Sequence, residues 1–223
     1  MTWRALTNHV LSCLFDPPCA TCASVLTRPL EGAVCEACWS AIAASVTPPL
    51  VTRVRGGTAI EAHAAVGEYE GRLRDAIHAL KYDGRRSIAP PLGALMRTAG
   101  SDVLVGADLS VPVPLHPRRQ RARGFNQADD LAQALGLPVR PLLRRLRFTA
   151  PQVDLPAGER HRNVRGAFGV QASAIARLPA VVVLVDDVST TGATLDACAW
   201  VLKKAGVKSV RAITAARVVT GRR

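Results

Sequence analysis

Val181-Val182-Val183-Leu184-Val185-Asp186-Asp187-Val188-Ser189-Thr190-Thr191-Gly192-Ala193-Thr194 is the stretch on which the fold turns. Ala180 to Val185 is a continuous apolar, largely β-branched run, the pattern of a strand covered on both faces. It leads directly into two carboxylates, a hydroxyl-rich turn and a glycine. Gly192 to Ala205 then reads as a helix stopped by Gly206. In open α/β sheets, ligands sit at the carboxyl ends of the strands. A turn entering a helix offers unpaired N–H groups and the positive end of the helix dipole. Ser189, Thr190, Thr191 and Thr194 add hydroxyl donors around Gly192 and Ala193, so the turn suits a phosphate monoester. Asp186 and Asp187 would repel that phosphate unless they accept hydrogen bonds from sugar hydroxyls or share a Mg²⁺ with the phosphates. The plainer alternative is a pair of turn-capping aspartates with Gly192 as an ordinary turn residue. The ligand reading requires both acids to stay clear of buried salt bridges and to face the arginine-rich segment upstream.

Outward from this stretch, strands and helices alternate. Ser209 to Arg217 reads as a final strand, and Leu109 to Pro114 as a short apolar one. Asn126 to Leu135 places Leu131 and Leu135 on one helical face before Gly136. Ala62 to Glu68 is extended, Gly71 to Leu80 has helical spacing at Leu73, Ile77 and Leu80, and Ile88 to Ala99 tolerates Pro90-Pro91 in its first turn. This alternation implies an α/β fold, a mostly parallel twisted sheet with flanking helices, over residues 51–223. Residues 1–50 form a separate small unit: a short helix from Thr2 to Leu14, a cysteine segment, and a helix from Glu36 to about Val46 ended by Thr47-Pro48-Pro49.

In the cysteine segment, Cys19-x₂-Cys22 and Cys35-x₂-Cys38 lie 12 residues apart. Two such knuckles supply four thiolates, enough to close a tetrahedral structural Zn²⁺ site. The gap is slightly short for paired knuckles, and a redox Cys-x-x-Cys or a metal-free hairpin are the alternatives. Cys13 and Cys198 stand alone and read as small buried side chains.

The chain of 223 residues carries a net charge of +12, which attracts phosphates of any kind without choosing among nucleotides, nucleic acid and anionic membranes. The run Val111 to Gln127 holds Arg118, Arg119, Arg121 and Arg123 after a short strand. Guanidinium forks suit a pyrophosphate, and a nucleic-acid patch or a solvated loop is equally open. Arg147 to Phe168 is polar, with Pro and Gly, and has either the character of a mobile lid or that of a plain surface loop. No apolar run is long enough to span a bilayer, and the N-terminus lacks the h-region of a signal peptide, so a cytoplasmic protein is expected. Neither a P-loop nor a Rossmann glycine pattern occurs.

The acidic stretch resembles the ribose-phosphate signature of type I phosphoribosyltransferases. With Leu80-Lys81-Tyr82-Asp83-Gly84, Val113-Pro114-Leu115 through Arg123-Gly124-Phe125-Asn126-Gln127, Pro151-Gln152 through Phe168, and the four cysteines, the chain is similar to the ComF family nearly end to end. That resemblance implies a phosphoribosyltransferase-like domain behind an N-terminal zinc ribbon. Asp186 and Asp187 would bind the ribose hydroxyls and Mg²⁺ of 5-phosphoribosyl 1-pyrophosphate (PRPP), and Ser189 to Thr194 the 5′-phosphate. Lys81, Arg118 and Arg119 would meet the pyrophosphate, with Arg160, Arg162 and Asn163 on a flexible loop. Some purine-salvage relatives carry an acid where this chain has Thr190, which disfavours that activity. No general base is assigned. The implied partners are PRPP or a nucleotide-like molecule, DNA or competence-machinery proteins, and a second copy in a homodimer. A non-catalytic role in DNA uptake is the alternative to phosphoribosyl transfer.

Overall fold

The computed structural model describes Trp3, Thr7 and residues 17–46, 52–53, 58–147 and 166–219. Arg160, Arg162, Asn163, Cys13 and most of the expected helix from Thr2 to Leu14 lie outside the described residues. Trp3 and Thr7 are themselves helical, with Thr7 Oγ1 donating to the Trp3 carbonyl at 2.9 Å.

In chain order the elements are α1 (Glu36–Ala44), β1 (Thr52–Arg53), β2 (Ala62–Glu68), α2 (Gly71–Tyr82), α3 (Ala89–Ala99), α4 (Ser101–Leu104), β3 (Leu109–Pro112), α5 (Pro117–Arg123), α6 (Gln127–Gln133), β4 (Leu143–Arg145), β5 (Phe168–Val170), β6 (Val181–Ser189), α7 (Ala193–Ala205) and β7 (Ser209–Arg217). The main sheet has the order β1-β2-β7-β6-β3. Its inner pairs are parallel and β1 adds antiparallel to β2. β4 and β5 form a separate antiparallel pair. The expected mostly parallel sheet with flanking helices is the fold.

β6 shows why its sequence is an unbroken aliphatic run. Val183 and Val185 pack with Leu73, Ile77 and Leu80 of α2 and Leu92 and Met96 of α3. Val182 and Leu184 pack on the opposite face with Leu195, Cys198 and Leu202 of α7. Both faces are dry, so alternation with polar residues would be costly. Each such aliphatic side chain contributes about 1.5–3 kcal/mol on burial. On one flank, α3 and α6 approach so closely that a Cβ on Gly93 would lie 2.3 Å from that of Ala134.

Two expectations about loops change. β6 continues past its aliphatic run to Ser189, with Asp186 opposite Thr214 and Ser189 opposite Arg217 of β7. The acids are therefore held by a backbone ladder. The arginine segment is in part a helix: Pro117 opens α5, the His116 ring accepts from the Arg118 N–H at 3.2 Å, and Gly124 ends it in the left-handed region at φ 82°. Beyond β3, Val139 makes a parallel bridge to Ser110, whose N–H donates to the Pro138 carbonyl at 2.9 Å.

The cysteine unit sits on this body. Leu26, Val34, Cys38 and Ile42 share one apolar cluster with α2 and α3. Arg72, in the first turn of α2, donates from Nη1 to Cys38 Sγ.

Candidate functional site

The exits of the four parallel strands converge on one cavity of about 410 Å³. β6 contributes Asp186, Asp187, Val188 and the following Thr190; β3 is followed by Val113, Pro114 and Leu115; β2 by Tyr69; β7 by Val218. Around this floor stand Lys81 and Tyr82 from the end of α2, Arg119 and Arg123 from α5, Gln127 from α6, Arg145 from β4 and Thr194 from the first turn of α7. The position is the one that parallel sheets reserve for ligands.

Of the residues singled out in the sequence, Asp186, Asp187, Thr190, Thr194, Lys81 and Arg119 line this wall. Ser189 ends β6, Thr191 and Gly192 follow in the turn and Ala193 opens α7, all without forming the wall. Gly192 occupies the left-handed region (φ 75°) that swings the chain from strand to helix. The Thr191 hydroxyl oxygen accepts from the Ala193 N–H at 3.4 Å. Arg118 sits exposed beside Arg119 on α5 and off the wall. Tyr69, Tyr82, Arg123, Gln127 and Arg145 are wall residues that sequence reasoning does not assign to the site. Arg123 and Gln127 lay inside the quoted Arg123-to-Gln127 motif and could have been drawn from it. Arg145 had no local signal.

Asp187 is 4% exposed, and its Oδ1 holds Lys81 Nζ at 2.7 Å. The requirement that both acids stay clear of buried ion pairs is thus not met at Asp187. Its partner, however, is another wall residue of the same cavity rather than a scaffold cation. The second oxygen, Oδ2, is buried with no hydrogen-bond partner. An orphaned carboxylate oxygen of this kind is an unused acceptor beside the cavity, suited to a sugar hydroxyl. Burial works against the Lys81 charge, yet Asp187 first, then Asp186 and Tyr69, hold its pKa above the usual lysine value.

Asp186 behaves differently. Its Oδ1 accepts the Asp187 N–H at 2.8 Å. Burial first, and the Asp187 carboxylate second, push it up to about 7, against the pull of Lys81 and Arg145. The fold holds a proton that an unfolded aspartate, titrating near 3.8, has released. Its stability contribution is therefore intact below pH about 4 and is lost as the pH rises to about 7. Asp186→Asn keeps an acceptor for the Asp187 N–H and removes this penalty. We expect the variant to exceed the parent by on the order of 2 kcal/mol at pH 8 and to match it at pH 4. Thermal melts of both proteins at the two pH values check this.

Positive charge gathers opposite the acids. Burial, then the neighbouring Arg119, lowers the Arg145 pKa. Desolvation first, then Arg145, Arg118, Arg119 and Arg121, lowers that of His116. Clustered guanidinium groups at the cavity wall favour an incoming anion.

The four predicted cysteines also converge. Their sulfur atoms all lie within 4.8 Å of one another. Cys19 and Cys38 Sγ are 3.9 Å apart, and Cys22 and Cys35 Sγ 3.8 Å, too long for disulfides. The Cys35 N–H donates to Cys19 Sγ at 3.3 Å. Four thiols at this spacing are placed to hold one metal ion and would repel one another as thiolates without it. Among the described residues, no helix is long and apolar enough to cross a membrane.

Residues 121–223 match the phosphoribosyl transferase domain family. The chain is 33% identical over 156 residues to competence protein F of Haemophilus influenzae, covering 66% of this chain and 68% of that protein. To the DNA utilization protein YhgH of Escherichia coli K12 it is 36% identical over 159 residues, covering 66% and 67%. To the competence protein ComFC of Streptococcus pneumoniae it is 26% identical over 163 residues, covering 70% and 68%.

Proposed function

This chain belongs to the ComF family of phosphoribosyltransferase-like proteins, and from that membership we propose that its cavity binds PRPP together with Mg²⁺. The observation that carries the reading is the juxtaposition of Asp186 and Asp187 with Lys81, Arg119, Arg145 and the Thr190–Thr194 turn around one cavity at the strand exits. Asp186 and Asp187 accept from the ribose hydroxyls. The amides and hydroxyls of Ser189 to Thr194, at the N-terminus of the 13-residue helix α7, take the 5′-phosphate. Lys81 and Arg119 receive the pyrophosphate, joined by Arg145, while Arg118 lies off the wall. Mg²⁺, when bound, neutralises developing charge on the pyrophosphate oxygens.

Transfer to an amine or base breaks the bond from C1 to the pyrophosphate oxygen, whose electron pair leaves with pyrophosphate, and forms a bond from C1 to nitrogen. The nitrogen's proton is released to water. The chain's share is positioning and charge complementarity. The four-cysteine cluster is read as a structural Zn²⁺ site.

Calorimetric titration with PRPP and Mg²⁺ tests the reading, paired with a pyrophosphate-release screen over amines and bases. Saturable binding that Asp187→Asn weakens at least about ten-fold is expected, since about 1.4 kcal/mol lost from one charged contact is already that much. No saturable heat at millimolar PRPP would sink it. Binding without release for any acceptor would favour a second reading, a DNA-handling protein that uses the ligand as a signal. The exposed arginines of α5 and the competence and DNA-utilization names of the relatives support that alternative. A steep fall of DNA affinity with salt is its own measurable consequence.

A further inference from the structure

Lys81 is the residue whose position the PRPP reading leaves half explained. A side chain meant for pyrophosphate would be expected among the arginines. Instead its Nζ lies 2.7 Å from Asp187 Oδ1, with side chains only 16% and 5% exposed. The lysine stem is fixed in the last turn of α2, where the helix dipole favours a cation. Asp186 and Asp187 form one acidic pair joined by the Asp187 N–H bond to Asp186 Oδ1.

A divalent metal bridging this pair would use Asp187. Mg²⁺ demands tight octahedral coordination, and a carboxylate already gripping an ammonium at hydrogen-bond distance offers it one oxygen beside a like charge. Between side chains this buried, that repulsion is weakly screened. A ligand carrying pyrophosphate changes the balance, because its oxygens offer the ammonium a second set of acceptors next to Arg119 and Arg145.

We infer that Lys81 is the resident cation of the acidic pair: it occupies Asp187 when no ligand is bound and must leave before a divalent metal can bind there, so metal is admitted only with the pyrophosphate that draws Lys81 away. This deepens the PRPP reading and rests on it for the second half of the exchange. By linkage, metal and PRPP then raise each other's affinity by the same factor, and Lys81 is the residue that sets that factor.

The test uses Mn²⁺ alone, followed by the loss of the free-ion paramagnetic resonance signal, on the full chain. Lys81→Met removes the charge and keeps the stem. Lys81→Gln keeps a hydrogen-bond donor for Asp187 Oδ1 and so guards against a folding defect. Both are expected to bind Mn²⁺ at least ten-fold more tightly than the parent, and Lys81→Arg no more tightly. Adding Asp187→Asn to either neutral variant is expected to abolish the gain. Equal Mn²⁺ affinity in the parent and both neutral variants overturns the inference. PRPP titrations on the same proteins separate the two claims: a Mn²⁺ gain without PRPP binding in any of them retains the exclusion of metal by Lys81 and sinks the ligand reading instead.

Discussion

Lys81→Met is expected to lower the stability of the protein by about 3–5 kcal/mol, or about 6–20 °C in melting temperature for a chain of this size. Methionine preserves most of the lysine stem, so packing against α2 and the strand exits changes little. What changes is Asp187. With Lys81 gone, Oδ1 loses its only ion pair among the described residues, while Oδ2 is already without a partner. A carboxylate 4% exposed then stands without a direct ion-pair partner among the described residues. That is the costly half of breaking a buried pair. Asp187→Leu alone should cost less, since the ammonium sits on a long stem with a route to water. The double variant Lys81→Met/Asp187→Leu should recover most of the loss. Thermal melts of the three proteins form the cycle. Strictly additive losses would mean that the pair contributes nothing as a pair.

The cysteine cluster gives the second large effect. As purified, the protein should carry about one Zn²⁺ per chain. Cys38→Ser, or stripping with a strong chelator, should reduce that to a small fraction and loosen residues 17–46. The four sulfurs approach within 4.8 Å, an arrangement that metal-free thiolates would not hold. Structural zinc supplies apparent free energies of about 10–16 kcal/mol in small units that lack a core of their own. This unit has little core to fall back on, chiefly Leu26, Val34 and Ile42. Because these residues dock on the cluster that contains α2 and α3, zinc loss should also lower the melting temperature of the body. Metal analysis by mass spectrometry, with limited proteolysis across residues 17–46, decides this. A zinc-free preparation with the same proteolytic resistance would overturn it.

Much of the architecture was legible because its strands are buried on both faces. Ala62–Glu68 and Ser209–Arg217 have the bounds that their apolar composition predicts. β6 was recognised but cut short, because the side-chain pattern changes at Asp186 while the backbone pairing with β7 does not. α5 reads as a loop since none of its residues is buried, and a helix without an apolar stripe leaves no periodic trace. β4 and β5 are three-residue strands far apart in the chain, whose pairing leaves no local signal. At the site, residue types were readable one by one. The contact between Lys81 and Asp187 was not, because it joins a helix end to a strand exit across the fold.

The flanks of the main sheet have a consequence for how copies of this chain can meet. At one side the outermost strand is only Thr52–Arg53, and at the other the free side of Ser110 is taken by Val139 and Pro138. Among the described residues the β3 flank offers no long row of unsatisfied amides and carbonyls onto which a foreign strand could zip, whereas β1 covers only Ala62 and His63 of β2. Continuous sheets built across molecules, the usual route to fibres, are therefore disfavoured through β3.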